Sequence, residues 1–490
     1  MKLFPAMVLV AAPYLLAHDQ PRVTLPPYTR DVLPNGAVIY VVPRKDAALI
    51  NLRAVIRGGA ESDPQGLEGL SSVVATMLHH GTATRNADAF ANEVDGIGAA
   101  LEAWVDPQST VVSMEFLSTH CERALDLFSD AILHPSFPAP EVRKVVAQST
   151  DAAKSTKDSP ALAAALYFRS FLFGSSHPYG HPVDGDELSL QRVGRSTITA
   201  YYRRLYVGPN MTLVAVGNFD SSEMRQRLAK NFGRVPQGDQ YEWIDAPSQE
   251  PPSDPRLLLV DRPASAQTQF VIGWPGISRT DADRLPVWLV NTIFGGGFTS
   301  MLNNTLRTRA GLTYGANCVF DQNRLTGAIS IRSSASPQFT AQAVDLALAV
   351  LVRLRDKGIT AEELSAAKRN LKGNYPSDYL ETPDQVATLF SELQLFGLQP
   401  NDVDDLFDRI DAVTLDEANA AARKYFSGRG LVFVLLGDAT QVRQVARRYV
   451  MEPWETSISG AGYAVFERRE RNGIDSGVEL SAAHASVPMH

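Results

Sequence analysis

Met211-Thr-Leu-Val-Ala-Val-Gly217-Asn218 and Leu431-Val-Phe-Val-Leu-Leu-Gly437-Asp438 can be laid over each other, and that correspondence decides the fold. Each is an apolar run of strand length closed by Gly-Asn or Gly-Asp. Each follows an amphipathic helical pattern with an aromatic and basic cluster, Tyr201-Tyr202-Arg203-Arg204 in the first case and Arg423-Lys424-Tyr425-Phe426 in the second. Gly217 and Gly437 stand 220 positions apart. One copy per half points to a duplicated α+β domain, because a solenoid needs several short repeats.

Working outward from these strands, each half repeats one order of elements. In the first, Asp31-Val-Leu-Pro-Asn-Gly-Ala-Val-Ile-Tyr-Val-Val-Pro43 places a turn at Asn35-Gly36 before a strand, and Leu49 to Ile56 reads as its neighbour. Helical spacing follows over 67–80, 87–97, 121–132, 139–154, 159–173 and 196–205. In the second half, 258–260 and 268–273 read as strands, and 282–294, 341–356, 361–374, 382–396 and 415–426 as helices. A chain of 490 residues is too long for one ordinary core. The expected division is an N-terminal domain at 27–235, a proline-rich linker at 236–256, a C-terminal domain at 257–440 and an extension at 441–490 with a poorly ordered end. The expected fold class is α+β: two homologous domains, each a mainly antiparallel sheet flanked by helices.

Composition narrows the function. With 44% hydrophobic and 20% charged residues the chain reads as an ordinary globular protein, and a net charge of −8 without clustered Lys and Arg argues against nucleic acid as a partner. Met1-Lys2 and the apolar run Leu3 to Ala17 read as a secretory signal at 1–17, too short to span a bilayer. The expected location is therefore periplasmic or secreted, with no stable membrane insertion. Two cysteines, Cys121 and Cys318, supply neither a disulfide framework nor a four-Cys metal site.

Gly69-Leu70-Ser71-Ser72-Val73-Val74-Ala75-Thr76-Met77-Leu78-His79-His80-Gly81-Thr82 resembles the metal-binding helix of the inverted-zincin peptidases, the family of pitrilysin and the mitochondrial processing peptidase. In that family the frame runs Gly-Leu, then His-x-x-Glu-His, then Met-Leu-x-x-Gly-Thr. Two histidines four apart share a helical face and reach one metal, while the glutamate takes a proton from metal-bound water. Here those positions are Ser72, Ala75 and Thr76. The family's third ligand is a glutamate in a run similar to Val142-Arg143-Lys144-Val145-Val146-Ala147-Gln148-Ser149, where this chain offers Gln148 or Ser149. Ala carries no ligand atom, and hydroxyls are poor zinc donors beside imidazole. The resemblance thus implies no metal and no bound cofactor in this chain. Adjacent His79 and His80 point about 100° apart on a helix and cannot both face one ion. His177-Pro178-Tyr179-Gly180-His181 resembles a structural loop of the same family.

The second half keeps a different family feature. Phe294-Gly295-Gly296-Gly297-Phe298 is followed by Leu306 to Tyr314, which is similar to the Leu-Arg-x-x-x-Gly-Leu-x-Tyr run of the processing-peptidase branch. There an Arg and a Tyr seven apart hold the substrate backbone near the zinc; by position these are Arg307 and Tyr314. Guanidinium and phenol both donate to a peptide carbonyl. The structural alternative is that Arg307 pairs with a surface carboxylate and Tyr314 packs in a core. The resemblance implies the non-zinc-binding subunit of a heterodimeric metallopeptidase, with zinc on the partner subunit and peptide as the substrate. The alternative function is a non-catalytic peptide-binding or assembly protein of the same fold. A self-sufficient hydrolase using Ser72 lacks a Gly-x-Ser-x-Gly elbow.

Overall fold

The computed structural model describes residues 22–245, 254–449, 453–460 and 462. The signal expected at 1–17, the middle of the expected linker and most of the polar tail lie outside them.

Two six-stranded sheets are built from β1 (Thr29–Val32), β2 (Val38–Pro43), β3 (Leu49–Arg57), β4 (Ala100–Val105), β5 (Ser109–Leu117) and β6 (Met211–Gly217), then from β7 (Arg256–Asp261), β8 (Thr268–Pro275), β9 (Ala316–Asp321), β10 (Ala328–Ala335), β11 (Val432–Gly437) and β12 (Trp454–Ser457). Their orders are β1-β2-β6-β3-β5-β4 and β12-β7-β11-β8-β10-β9. Five strands therefore correspond one to one, and the laid-over runs, β6 and β11, hold the same central place. Each sheet mixes directions. β6 lies parallel to β2 and antiparallel to β3, and β11 lies parallel to β7 and antiparallel to β8. The expectation that 49–56 neighbours 38–43 is corrected: β6 lies between them, because the strand whose every residue is buried takes the centre. The outer strands differ in origin: β1 enters from the N-terminal side, whereas β12, within the expected extension, adds parallel to β7.

Continuous burial along β6 and β11, and along β2 up to Val42, means that both faces of each sheet are covered, which explains apolar runs without alternation. In the first sheet Ile39, Val41, Leu52 and Leu213 face helices of their own half. Val38, Tyr40, Val42, Val214 and Val216 join the other half's core. That second face is covered by helix Pro383–Phe396. Phe390 meets the rings of Tyr28 and Tyr40 at 4.9 and 5.4 Å, and Tyr40 donates to Gln394 at 3.0 Å. The reciprocal arrangement holds in the second sheet. Helix Pro160–Phe173 of the first half lays Tyr167, Phe168 and Phe171 on Leu258, Val271, Val434 and Leu436. Gly273 of β8 makes room for it, since a Cβ there would stand 2.4 Å from the Phe168 ring. The two halves thus exchange one covering helix each.

The chain after the first half is tied down at its start. Tyr241 donates to the buried Glu61 at 3.3 Å, and Trp243 is flanked by the guanidinium groups of Arg57 and Arg324 at 5.4 and 4.8 Å. Burial pushes the Glu61 carboxyl up to about 7, against the pull of Arg324 at 3.9 Å. Cys121 and Cys318 are unpaired.

Candidate functional site

Helix Leu70–Met77 begins where Gly69 adopts φ +88° and Asp63 accepts from the Gly69 and Ser71 amides at 2.8 Å each. This is shorter than the helical spacing over 67–80. The left-handed glycine delays its start, and Leu78-His79 form the turn after it. Leu70, Val73, Val74 and Met77 bury the inner face, and Ser72 and Thr76 share the outer one. Each outer hydroxyl is already used: Ser72 Oγ donates to Asp184 at 2.8 Å, and Thr76 Oγ1 donates to the Ser72 carbonyl at 3.0 Å. Ala75 is 1% exposed and offers only a methyl group. Helix Ala139–Thr156 packs against this helix, with Gln148 exposed and Ser149 half-buried. The donor set is two hydroxyls, a methyl and an amide, and it does not fit a zinc ion. Asp184, the partner of Ser72, escapes sequence reasoning because it lies far along the chain in an irregular loop.

The histidines are held in other ways. His80 Nδ1 lies 3.0 Å from Glu141 Oε2, and His79 is half-buried, its buried Nδ1 without a partner among the described residues. Burial, with His80 beside it, lowers the His79 imidazole to about 4, so it is neutral at pH 7. In the 177–181 loop the Tyr179 amide donates to His177 Nδ1 at 3.0 Å, and the His177 ring stacks on Phe173 at 4.7 Å. The Tyr179 hydroxyl accepts from Gln108 at 2.8 Å and from the Leu325 amide of the second half at 3.2 Å. The loop therefore fastens the halves together.

Arg307 and Tyr314 are brought together, in the second half. Arg307 sits on a π-helical turn, Asn304–Arg309, a widened winding frequent at functional sites. Its guanidinium lies between two rings, 4.5 Å from the centre of Phe298 and 5.3 Å from that of Tyr314. Tyr314 is 87% exposed and Phe298 70% exposed. Among the described residues no carboxylate lies within 4.0 Å of Arg307. Neither arrangement of the structural alternative, a surface ion pair or a buried phenol, is present. Asn303 sets the local geometry: its amide donates to the Phe298 carbonyl at 2.7 Å and its Oδ1 accepts from the Ala316 amide at 3.3 Å, fastening the glycine loop to β9. Phe298 and Asn303 are the residues that spacing alone does not single out. No hydrogen bond or ion pair among the described residues joins this group to Ser72, Ala75, Thr76 or Gln148.

Fold and site together define a metallopeptidase-like chain of two corresponding α+β halves that lacks the ligand chemistry of its class. Residues 40–170 match the family model described as Insulinase (Peptidase family M16), and residues 192–371 match the one described as Peptidase M16 inactive domain. The chain belongs to the M16 peptidase family, as a member without the His-x-x-Glu-His motif. It is 27% identical over 406 residues, 82% of this chain and 91% of the relative, to an uncharacterized zinc protease of Mycobacterium tuberculosis. It is 22% identical to the uncharacterized zinc protease YmxG of Bacillus subtilis, over 80% of this chain and 94% of the relative. A crystal structure of a peptidase M16 inactive domain from Pseudomonas fluorescens superposes with a TM-score of 0.78 at 25% identity, covering 84% of this chain and 98% of that one. The first half of the periplasmic protease PqqL from Escherichia coli shares the fold, with a TM-score of 0.71 at 16% identity over 87% of this chain and 95% of that one. Among the described residues no helix is long and apolar enough to cross a membrane.

Proposed function

We propose that this chain is the non-zinc-binding subunit of a heterodimeric zinc metallopeptidase, inactive alone, and that it supplies Arg307 and Tyr314 to hold an extended peptide at a partner subunit's zinc site. The observation that carries this reading is the exposed Phe298–Arg307–Tyr314 stack. It orders a cation and a phenol at the surface, where they satisfy no ion pair and fill no core. Held between two rings, the guanidinium keeps its edge donors free for a peptide carbonyl, and the phenol adds another. Such donors act most strongly where negative charge develops on that oxygen. The bond-breaking chemistry belongs to the partner, because the helical positions in this chain lack the donors for it. A periplasmic or secreted location fits the apolar leader, and the likeness to a half of a periplasmic protease supports it.

The test is peptide cleavage by the chain mixed with a zinc-bearing family member that co-purifies with it. Arg307→Ala is expected to leave assembly intact and to lower kcat by about 100-fold, the scale seen when one oxyanion-directed donor is removed. Unchanged cleavage would remove the catalytic role and leave a peptide-binding or assembly protein.

A further inference from the structure

A cavity of about 410 Å³ lies between the two halves, and neither the degenerate helix nor the Arg307 group lines it. Its size is that of a small-molecule site. The unusual feature of its walls is a surplus of hydrogen-bond donors. Arg284, at the start of helix Arg284–Phe294, uses its Nε on the neutral Gln322 Oε1 at 2.9 Å, and among the described residues no carboxylate stands within 4.0 Å of it. Burial, reinforced by the nearby Arg279, lowers Arg284 to about 10, so it remains charged at pH 7. The buried Gln322 Nε2 has no partner among the described residues. Across the cavity Arg53 is 2% exposed; its terminal nitrogens donate to Thr388 and Asp384, and among the described residues its Nε has no partner.

Among the described residues no wall carboxylate bonds directly to Arg284 or Gln322, although Glu392 attracts the charge of Arg284 and Asp106 that of Arg53. Glu392 takes Arg279 at 3.0 Å, and Asp321 faces Arg332 at 3.6 Å. Asp106 sits where burial, with Glu392 near it, raises its pKa, which disfavours its charge. Buried donors left without acceptors are costly, so a charged acceptor entering this space would be well held. Flat apolar surface flanks the donors: the Trp288 ring lies 5.2 Å from the Arg284 guanidinium, and the Trp104 ring 5.3 Å from that of Arg53.

We infer that this cavity is a binding site for a small monocarboxylate with an aromatic body, its carboxylate held by Arg284 and Gln322 and its ring lying between the two tryptophans. The carboxylate can come from a free acid or from the C-terminus of a short peptide. This goes beyond the proposed subunit role and does not depend on it.

Isothermal titration of the full chain with 3-phenylpropionate, with the neutral 3-phenylpropanol and with the tripeptide Ala-Ala-Phe tests it. The acid or the tripeptide is expected to bind at least about tenfold more tightly than the alcohol, one charge-assisted hydrogen bond being worth that much. Whichever of the two binds identifies the source. Arg284→Gln should erase the preference over the alcohol, and Gln322→Leu should weaken it several-fold. If Arg284→Gln does not fold, the Gln322→Leu ratio decides. Equal binding of acid and alcohol, binding of none of the three, or a preference that survives the substitutions overturns the inference.

Discussion

His79 shows what the degenerate segment now does. Two residues past the helix its ring is half-buried and uncharged, with a buried Nδ1 that has no partner among the described residues, so it serves packing. The unfolded chain binds a proton there near pH 6.5 and the folded chain only near 4. Between those values the unfolded state holds more protons, so stability is full above pH 6.5 and falls as the pH drops to 4. The loss is on the order of 2–3 kcal/mol for this group alone. His177, lowered to about 4 by burial, acts in the same direction. Urea unfolding at pH 7 and pH 5 checks this: the midpoint should fall on acidification, and His79→Leu should flatten the fall. Glu61 has the opposite sign. Its folded pKa near 7 lies above the unfolded value of 4.5, so the protonated form is favoured by folding and stability declines as the pH rises from 4.5 through 7. Glu61→Gln should raise the unfolding free energy at pH 8 by an amount on the order of 2–3 kcal/mol and change little at pH 4. A variant less stable at pH 8 would show that the Arg324 pair outweighs the burial cost.

Among the elements, the helices and the two central strands are largely legible in the sequence, and the reasons are local. Helices Cys121–Leu133 and Arg195–Leu205 follow the apolar spacing to within a residue. Helix Ala361–Tyr379 outruns its expected end at Asn374 because the chain stays helical through Pro376, which the usual breaker rule forbids. β4, β5, β9 and β10 leave weaker marks: β4 and β9 are sheet edges with mixed burial, so their alternation is blurred. The exchange of covering helices is not legible, because nothing along Pro383–Phe396 says which sheet its apolar face will meet. At the site, Arg307 and Tyr314 can be singled out by their spacing within a family-like frame. Phe298 cannot, since its place above Arg307 depends on Asn303 turning the glycine loop back. Phe390→Ala should cost about 3–5 kcal/mol, as for a fully buried aromatic side chain. The variant's urea midpoint measures it; a loss below 1 kcal/mol would mean that the first sheet does not need this helix.

For the molecule as a whole, the exchange makes the halves interdependent. Each sheet has one face covered by the other half, Tyr179 links Gln108 to Leu325, and Glu61 meets both Tyr241 and Arg324. Unfolding should accordingly be one transition, with tryptophan fluorescence and far-ultraviolet circular dichroism superposing; two separated transitions would contradict it. The same interdependence presents two surfaces on one rigid frame: a helix face whose hydroxyls are turned to Asp184 and to the backbone, and a cation–aromatic stack standing in solvent. The first of these surfaces lacks the donors that zinc needs. Elemental analysis of the purified chain after incubation with excess zinc and removal of the unbound ion tests it most directly. The expected result is zinc at background; one zinc per chain, lost when Ser72 and Thr76 are replaced by alanine, would contradict it.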